Sequence, residues 1–199
     1  MATYASIKYD MDLASSATGE GAMTLLSTQT ASSSATISFT SNIDSTYSEY
    51  IFKFYNIHPA TDQKSFQFQT DTGTNTSYNQ TATTTYFQAD HDEADTSTTL
   101  GYQTGNDLAQ ATTFQTLSHP SGISNDNDGS FSGTLHLFEP SSTTFVKHFM
   151  ATGNTMYPAW SVNSFVAGYF DTTTALTRVQ FKMDSGNIDA GVIKMYGVS

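Results

Sequence analysis

The chain has 199 residues, a formal net charge of −11 and no cysteine. That length supports one domain with its own core, and the missing thiols exclude a disulfide framework, a thiolate zinc site and a cysteine nucleophile. Only seven Lys and Arg stand against eighteen Asp and Glu, which leaves too few cations to neutralise phosphates and excludes nucleic acid as a partner.

Residues 1–16 carry Tyr4, Ile7, Tyr9, Met11 and Leu13 at short intervals. They lack a basic region followed by an apolar run, so no secretory signal is expected. No run anywhere is long and apolar enough for a membrane helix, so no membrane partner is expected. The recurrent apolar residues predict an extended N-terminal arm that docks on a neighbouring subunit, with Tyr4, Ile7, Tyr9 and Leu13 as contacts. The stretch ATGEG (17–21) is a flexible break. The expected division is therefore an arm over 1–16 and a β-sandwich domain over 17–199.

From there the chain repeats one grammar: short alternating runs between turn-forming clusters. A strand is expected over 22–29. Ala35, Ile37 and Phe39 alternate with Thr36, Ser38 and Thr40 in the next. The run 50–57 is the most apolar: Tyr50, Phe52 and Phe54 share one face, while Ile51, Tyr55 and Ile57 share the other with Lys53. A strand apolar on both faces is central or carries an interface on its second face, so Ile51 and Tyr55 are candidate subunit contacts. His58-Pro59 is expected to stop it.

Phe66 and Phe68 are expected inward and Gln67 and Gln69 outward over 65–70. A turn follows over 71–76 and a strand over 83–89. The polar stretch 90–98 reads as a loop. Residues 100–116 are ambiguous, with a short helical turn over 107–111 as one reading, and Phe114 and Leu117 are expected to cover one end of the core. A long loop over 119–130 precedes a strand bearing Phe131, Gly133, Leu135 and Leu137. Strands over 145–150 and 165–170 flank a loop that contains Gly153, Pro158 and Trp160. The chain closes with two alternating runs around DSGN (184–187), in which Val179, Phe181 and Met183 and then Ile193 and Met195 alternate with polar residues; this pattern predicts a final hairpin. Nine or ten short strands without an amphipathic helix predict an all-β fold, a single jelly-roll-like antiparallel β-sandwich.

Chemistry-bearing patterns are scarce. The sequence GSFSG (129–133) places Phe131 where a nucleophile elbow needs serine, and no HExxH occurs. No catalytic residue, no metal ligand set and no cofactor is expected. Two acidic stretches, Ser124 to Gly129 and Asp90 to Asp95, have clustered oxygens that suit calcium, but neither follows the spacing of a calcium loop. Tyr157 and Trp160 lie beside a turn and could stack on a sugar ring, as β-sandwich modules use aromatic platforms.

Three stretches carry a resemblance: TISFTSNIDSTYSEYIFKFYNIHPATD (36–62), SGTLHLFEPSSTTFVKHF (132–149) and FKMDSGNIDAGVIKMYGV (181–198). In order and content they resemble a family of virion structural proteins of marine tailed phages, chiefly those that infect cyanobacteria. The resemblance spans about residues 35–198. It implies a non-enzymatic protein of the virion, displayed on the particle as a capsid decoration (cement) subunit or as a tail-fibre or horn module. Its partners would be other capsid or tail proteins and further copies of itself, trimers being the form such modules tend to take. The alternative is a carbohydrate-binding module that recognises a host receptor, with Tyr157 and Trp160 as the glycan-binding pair.

Overall fold

In the computed structural model, residues 22–198 are described. They form twelve strands and no helix: β1 (Met23–Thr30), β2 (Ile37–Phe39), β3 (Glu49–Pro59), β4 (Phe66–Thr72), β5 (Ala82–Asp92), β6 (Thr98–Tyr102), β7 (Gln115–Thr116), β8 (Phe131–Phe138), β9 (Lys147–Tyr157), β10 (Trp160–Phe170), β11 (Leu176–Met183) and β12 (Ile188–Val198). They make two antiparallel sheets. The larger has eight strands in the order β1-β12-β3-β8-β9-β10-β5-β6, and the smaller has four in the order β2-β11-β4-β7. The all-β expectation and the two-sheet architecture hold. The segment 1–16, predicted as an arm, lies outside the described residues.

The core is the space between the sheets, and aromatic rings dominate it. Tyr50, Phe52 and Phe54 of β3 point inward and are buried, as their alternation predicts. Phe181 of β11 faces them from the other sheet. Its ring lies 5.2 to 6.3 Å, centroid to centroid, from those of Phe39, Phe52, Phe54, Phe66 and Phe68. Burying one such side chain contributes about 1.5–3 kcal/mol, and edge-to-face contacts add to it. Gly133 and Gly153 pair across β8 and β9, because a Cβ at Gly153 would stand 2.4 Å from the Phe131 ring.

Several local expectations are corrected. The last two alternating runs are not a hairpin. β11 pairs with β2 and β4, whereas β12 pairs with β1 and β3. The turn between them carries the chain from one sheet to the other. It is fastened to other parts of the chain: the Asp184 carboxylate accepts from the Ser65 N–H, and the Asn187 amide donates to the Ser33 carbonyl. Alternation reports a half-buried strand, and the buried faces of β11 and β12 meet across the interior, not side by side.

Strand β3 ends at Pro59, where His58-Pro59 is expected to stop it, and a bulge interrupts its register between Phe54 and Ile57. Asn56 adopts φ 48° there. The extra residue turns Ile57 into the core, where it is fully buried, so Ile57 does not share the outer face with Ile51 and Tyr55. Gln69 is buried, not outward. Its amide nitrogen lies within hydrogen-bond distance of the carbonyls of Gln80, Thr112 and Thr113, a loop that covers β4. The stretch 107–111 forms no helical turn. Gly153 and Trp160 belong to strands β9 and β10, which are eleven residues each and are joined through Pro158 and Ala159 alone. Asp90 to Asp92 likewise extend β5 instead of opening a loop.

Candidate functional site

Two surfaces of the larger sheet stand out. The first is its outer face, which the smaller sheet does not cover. An antiparallel sheet with one solvated face ordinarily alternates apolar inward and polar outward. Here the outer rows are apolar over much of their length. One row runs Leu25, Tyr196, Ile51, His136, Met150, Ala167. The next includes Lys194, Lys53, Thr134, Thr152, Phe165, Phe87 and Tyr102. Phe87 and Phe165 stack with centroids 4.8 Å apart, and Met150 remains 58% exposed. Between β5, β10, β9 and β8 these side chains leave a groove of about 410 Å³, bounded by Phe87, Phe165, Met150, His136 and Phe138.

The charge on this face is unlike the rest of the molecule. Across the paired rows from β1 to β6 it carries one acid, Glu49, whose carboxylate is hydrogen-bonded to His136 Nδ1. Lys53 and Lys194 lie on the same face with their ammonium groups over the rings of Tyr196 and Tyr55, 5.6 and 5.5 Å from the centroids. Of the residues expected to contact a partner, Ile51 and Tyr55 are therefore on this face, Ile51 wedged between its neighbours and Tyr55 exposed. Tyr4, Ile7, Tyr9 and Leu13 lie outside the described residues.

The second surface is a pocket at one end of the sandwich. The inner face of β5, β9 and β10 extends past the smaller sheet there, and only the stretch after β7 crosses it. Ser164 Oγ donates to the Leu117 carbonyl, Tyr86 Oη donates to the Ser118 carbonyl, and the His119 N–H donates to Thr155 Oγ1. These bonds hold His119 over the end of the sheet. Trp160 pairs with Tyr157 across the β9–β10 turn and with Asp92 of β5, and Val162 pairs with Asp90. The two aromatics expected as a glycan platform are thus brought together, and Asp90, His119, Tyr157, Trp160 and Val162 line a pocket of about 230 Å³. The His119 and Tyr157 rings lie 4.8 Å apart. Tyr102 is on the outer face beside Phe87, its hydroxyl donating to Asp107.

Burial holds the His119 imidazole below its ordinary range, with Asp90 acting in the opposite direction, so the ring is neutral near pH 7. Its Nδ1 is buried without a hydrogen-bond partner. Sequence reasoning singled out Asp90 only as part of an acidic stretch and missed His119, because both are far from Trp160 along the chain and only the fold unites them.

The acidic stretch considered for calcium is divided by the fold. Asp92 accepts hydrogen bonds from the Thr96 hydroxyl and from the Thr96 and Ser97 N–H groups, with the Thr96 hydroxyl the leading reason its carboxyl is held below the usual carboxylate range. Asp95 meets His91, and Asp90 accepts from Thr99. At the other stretch, Ser124 Oγ donates to the Asp126 carboxylate. Among the described residues, no group of three or more His, Asp or Glu converges as a metal site. His136 and His148, which lie on neighbouring strands, are not directly opposed: His136 faces Met150. Comparison of the chain with protein-family models, with curated proteins and with solved structures found no match.

Proposed function

We propose that this protein is a non-enzymatic structural protein of a tailed-phage virion. It is displayed on the particle as a capsid decoration subunit or a tail-fibre or horn module, and it assembles with further copies of itself. The observation that carries the reading is the outer face of the larger sheet, apolar and almost free of acid in a chain of net charge −11. Copies of so acidic a molecule repel one another over most of their surface. They can approach through the face where Lys53, Lys194, Met150, Phe87 and Phe165 are found, and there burial of apolar area favours contact. The proposed occupant of that face is a second copy of the chain.

The three stretches that carry the family resemblance support the same reading. They supply β3, β8, the start of β9, and β12, which are consecutive neighbours in the larger sheet. The jelly-roll-like topology and the N-terminal arm with Tyr4, Ile7, Tyr9 and Leu13 belong to this proposal, the arm as a second attachment to a neighbouring subunit. Labelling the protein on intact particles by cryo-electron microscopy tests it. Many copies spread over the shell would mean decoration, a few at a vertex would mean a fibre, and absence from the particle would overturn the reading. Removal of residues 1–16 is expected to leave the domain folded and abolish particle binding; undiminished binding would remove the arm from the proposal.

A further inference from the structure

We propose that the pocket at the end of the sandwich binds one ring of a neutral saccharide, a role that goes beyond the structural reading and does not depend on it. The argument starts from the turn between β9 and β10. Pro158 fixes the first corner and Ala159 takes φ 59° at the second, where a type II turn ordinarily uses glycine. The Ala159 carbonyl accepts from the Glu93 N–H at 2.9 Å, which ties the turn to the end of β5. Tyr157 and Trp160, paired across this turn, are held on strand ends instead of a free loop, so their rings are placed before any ligand arrives.

Trp160 also lines a second cavity of about 190 Å³ on its other side, with His91, Asp92 and Glu93. An indole that serves only to plug a core is packed by neighbours, whereas this one borders open space at two places. The pocket it shares with Tyr157 combines two aromatic rings with two polar side chains. Asp90 accepts one hydrogen bond at Oδ1, from Thr99, and Oδ2 is left to accept another. His119 has Nδ1 sealed without a partner, and no other group among the described residues forms a hydrogen bond with its ring, so the remainder of the imidazole faces the pocket uncommitted. Concave, largely apolar sites with a few convergent polar groups are where small ligands bind.

The ligand class follows from the lining. A pyranose presents a flat apolar C–H face that covers an aromatic ring, and its hydroxyls donate to a carboxylate and exchange hydrogen bonds with a neutral imidazole. Asp90 here and Asp92 and Glu93 on the far side of the indole repel a carboxylate or sulfate on the sugar, so the preferred ring is uncharged. A pocket of about 230 Å³ accommodates one ring, with the rest of a glycan leading out of the mouth. Binding of a single ring is expected to be weak, of order millimolar, because so few atoms are engaged.

Trp160 is the only tryptophan of the chain, so its fluorescence reports this pocket directly. The full-length protein would be titrated with the methyl pyranosides of glucose, galactose and mannose and with glucuronic acid, each to about 100 mM. Ligand-observed saturation-transfer NMR would be run on the same samples. The expected result is a saturable change for at least one neutral glycoside, weaker or absent for glucuronic acid, and lowered about tenfold by Asp90→Asn. Tyr157→Leu is the second variant, read by NMR, in case Asp90→Asn disturbs the fold. No saturable signal in either measurement, glucuronic acid binding more tightly than every neutral sugar, or unchanged affinity in a folded Asp90→Asn or Tyr157→Leu protein would each overturn the proposal. None of these outcomes bears on where the protein sits on a particle.

Discussion

The two faces of β3 are drawn from a single alternating run, and they do different work. Inward, Tyr50, Phe52 and Phe54 meet rings from the opposite sheet and are closed off from solvent. Outward, Ile51, Lys53 and Tyr55 meet only their neighbours in the same sheet, and the apolar surface continues through His136 and Met150 to Phe165 and Phe87. The residue types on the two sides are similar. What separates them is a second layer: the inner rings have one within the chain, whereas among the described residues the outer face has none, and the proposed second copy would supply it. Apolar content alone therefore does not distinguish a core from a contact surface. The distinction on this chain is whether a second sheet of the same chain lies over the face.

That contrast can be broken experimentally, beginning with its strongest element. Phe181→Ala removes the ring that joins the aromatics of both sheets, and it should cost about 3–5 kcal/mol in denaturant unfolding. Gly153→Ala is expected to cost about 1–3 kcal/mol, because its new methyl would meet the Phe131 ring at 2.4 Å and push it against Phe54 and Phe66. On the outer face, Met150→Asp should move stability by no more than about 0.5 kcal/mol yet abolish self-association in light scattering. If it unfolds the protein as Phe181→Ala does, the outer face is part of the fold's own stabilisation and the contrast fails.

The smallest expected effect concerns His119. Burial keeps its imidazole neutral in the fold, while the unfolded chain accepts a proton near the free value of about 6.5. The unfolded state then binds more protons below that pH, so stability should be level above it and decline as pH falls through it. Asp92, held below the usual carboxylate range, keeps its stabilising contribution until pH falls below about 4, so its loss sets in below the range where His119 acts. Thermal melts between these limits should flatten in a folded His119→Gln protein; an unchanged slope would show that the ring is not protonated on unfolding in the way proposed.

Much of the strand content was legible because alternation is a local signal. Tyr50, Phe52, Phe54, Phe131, Leu135, Val179, Phe181, Ile193 and Met195 all point where their period places them. What alternation does not carry is partner choice. Two alternating runs around DSGN look the same whether they pair with each other or enter different sheets; they enter different sheets, and bonds from Ser65 and to Ser33 fasten the turn between them. A bulge at Asn56 inverted Ile57, since one added residue exchanges the faces of all that follows. Gln69 reads as outward from its period, yet a distant loop lies over it and satisfies its amide. Half of the sugar-binding proposal was visible in Tyr157 and Trp160, which are close in sequence. Asp90 and His119 join them only through the order of strands, which depends on the whole chain.

The position of β12 has a consequence for how the protein is made. This strand lies between β1 and β3, so the earliest described strand is held to the sheet only by the latest. As residues leave a ribosome in order, β1 has no strand partner and β3 keeps an open edge until residues 188–198 appear. Unpaired strand edges and exposed aromatic rows are the features that make a nascent chain adhere to others. Sheets that wait for such distant pairing also close slowly. Chains cut short before Ile188 should therefore accumulate as aggregates, and the few residues after Gly186 govern the yield of folded protein.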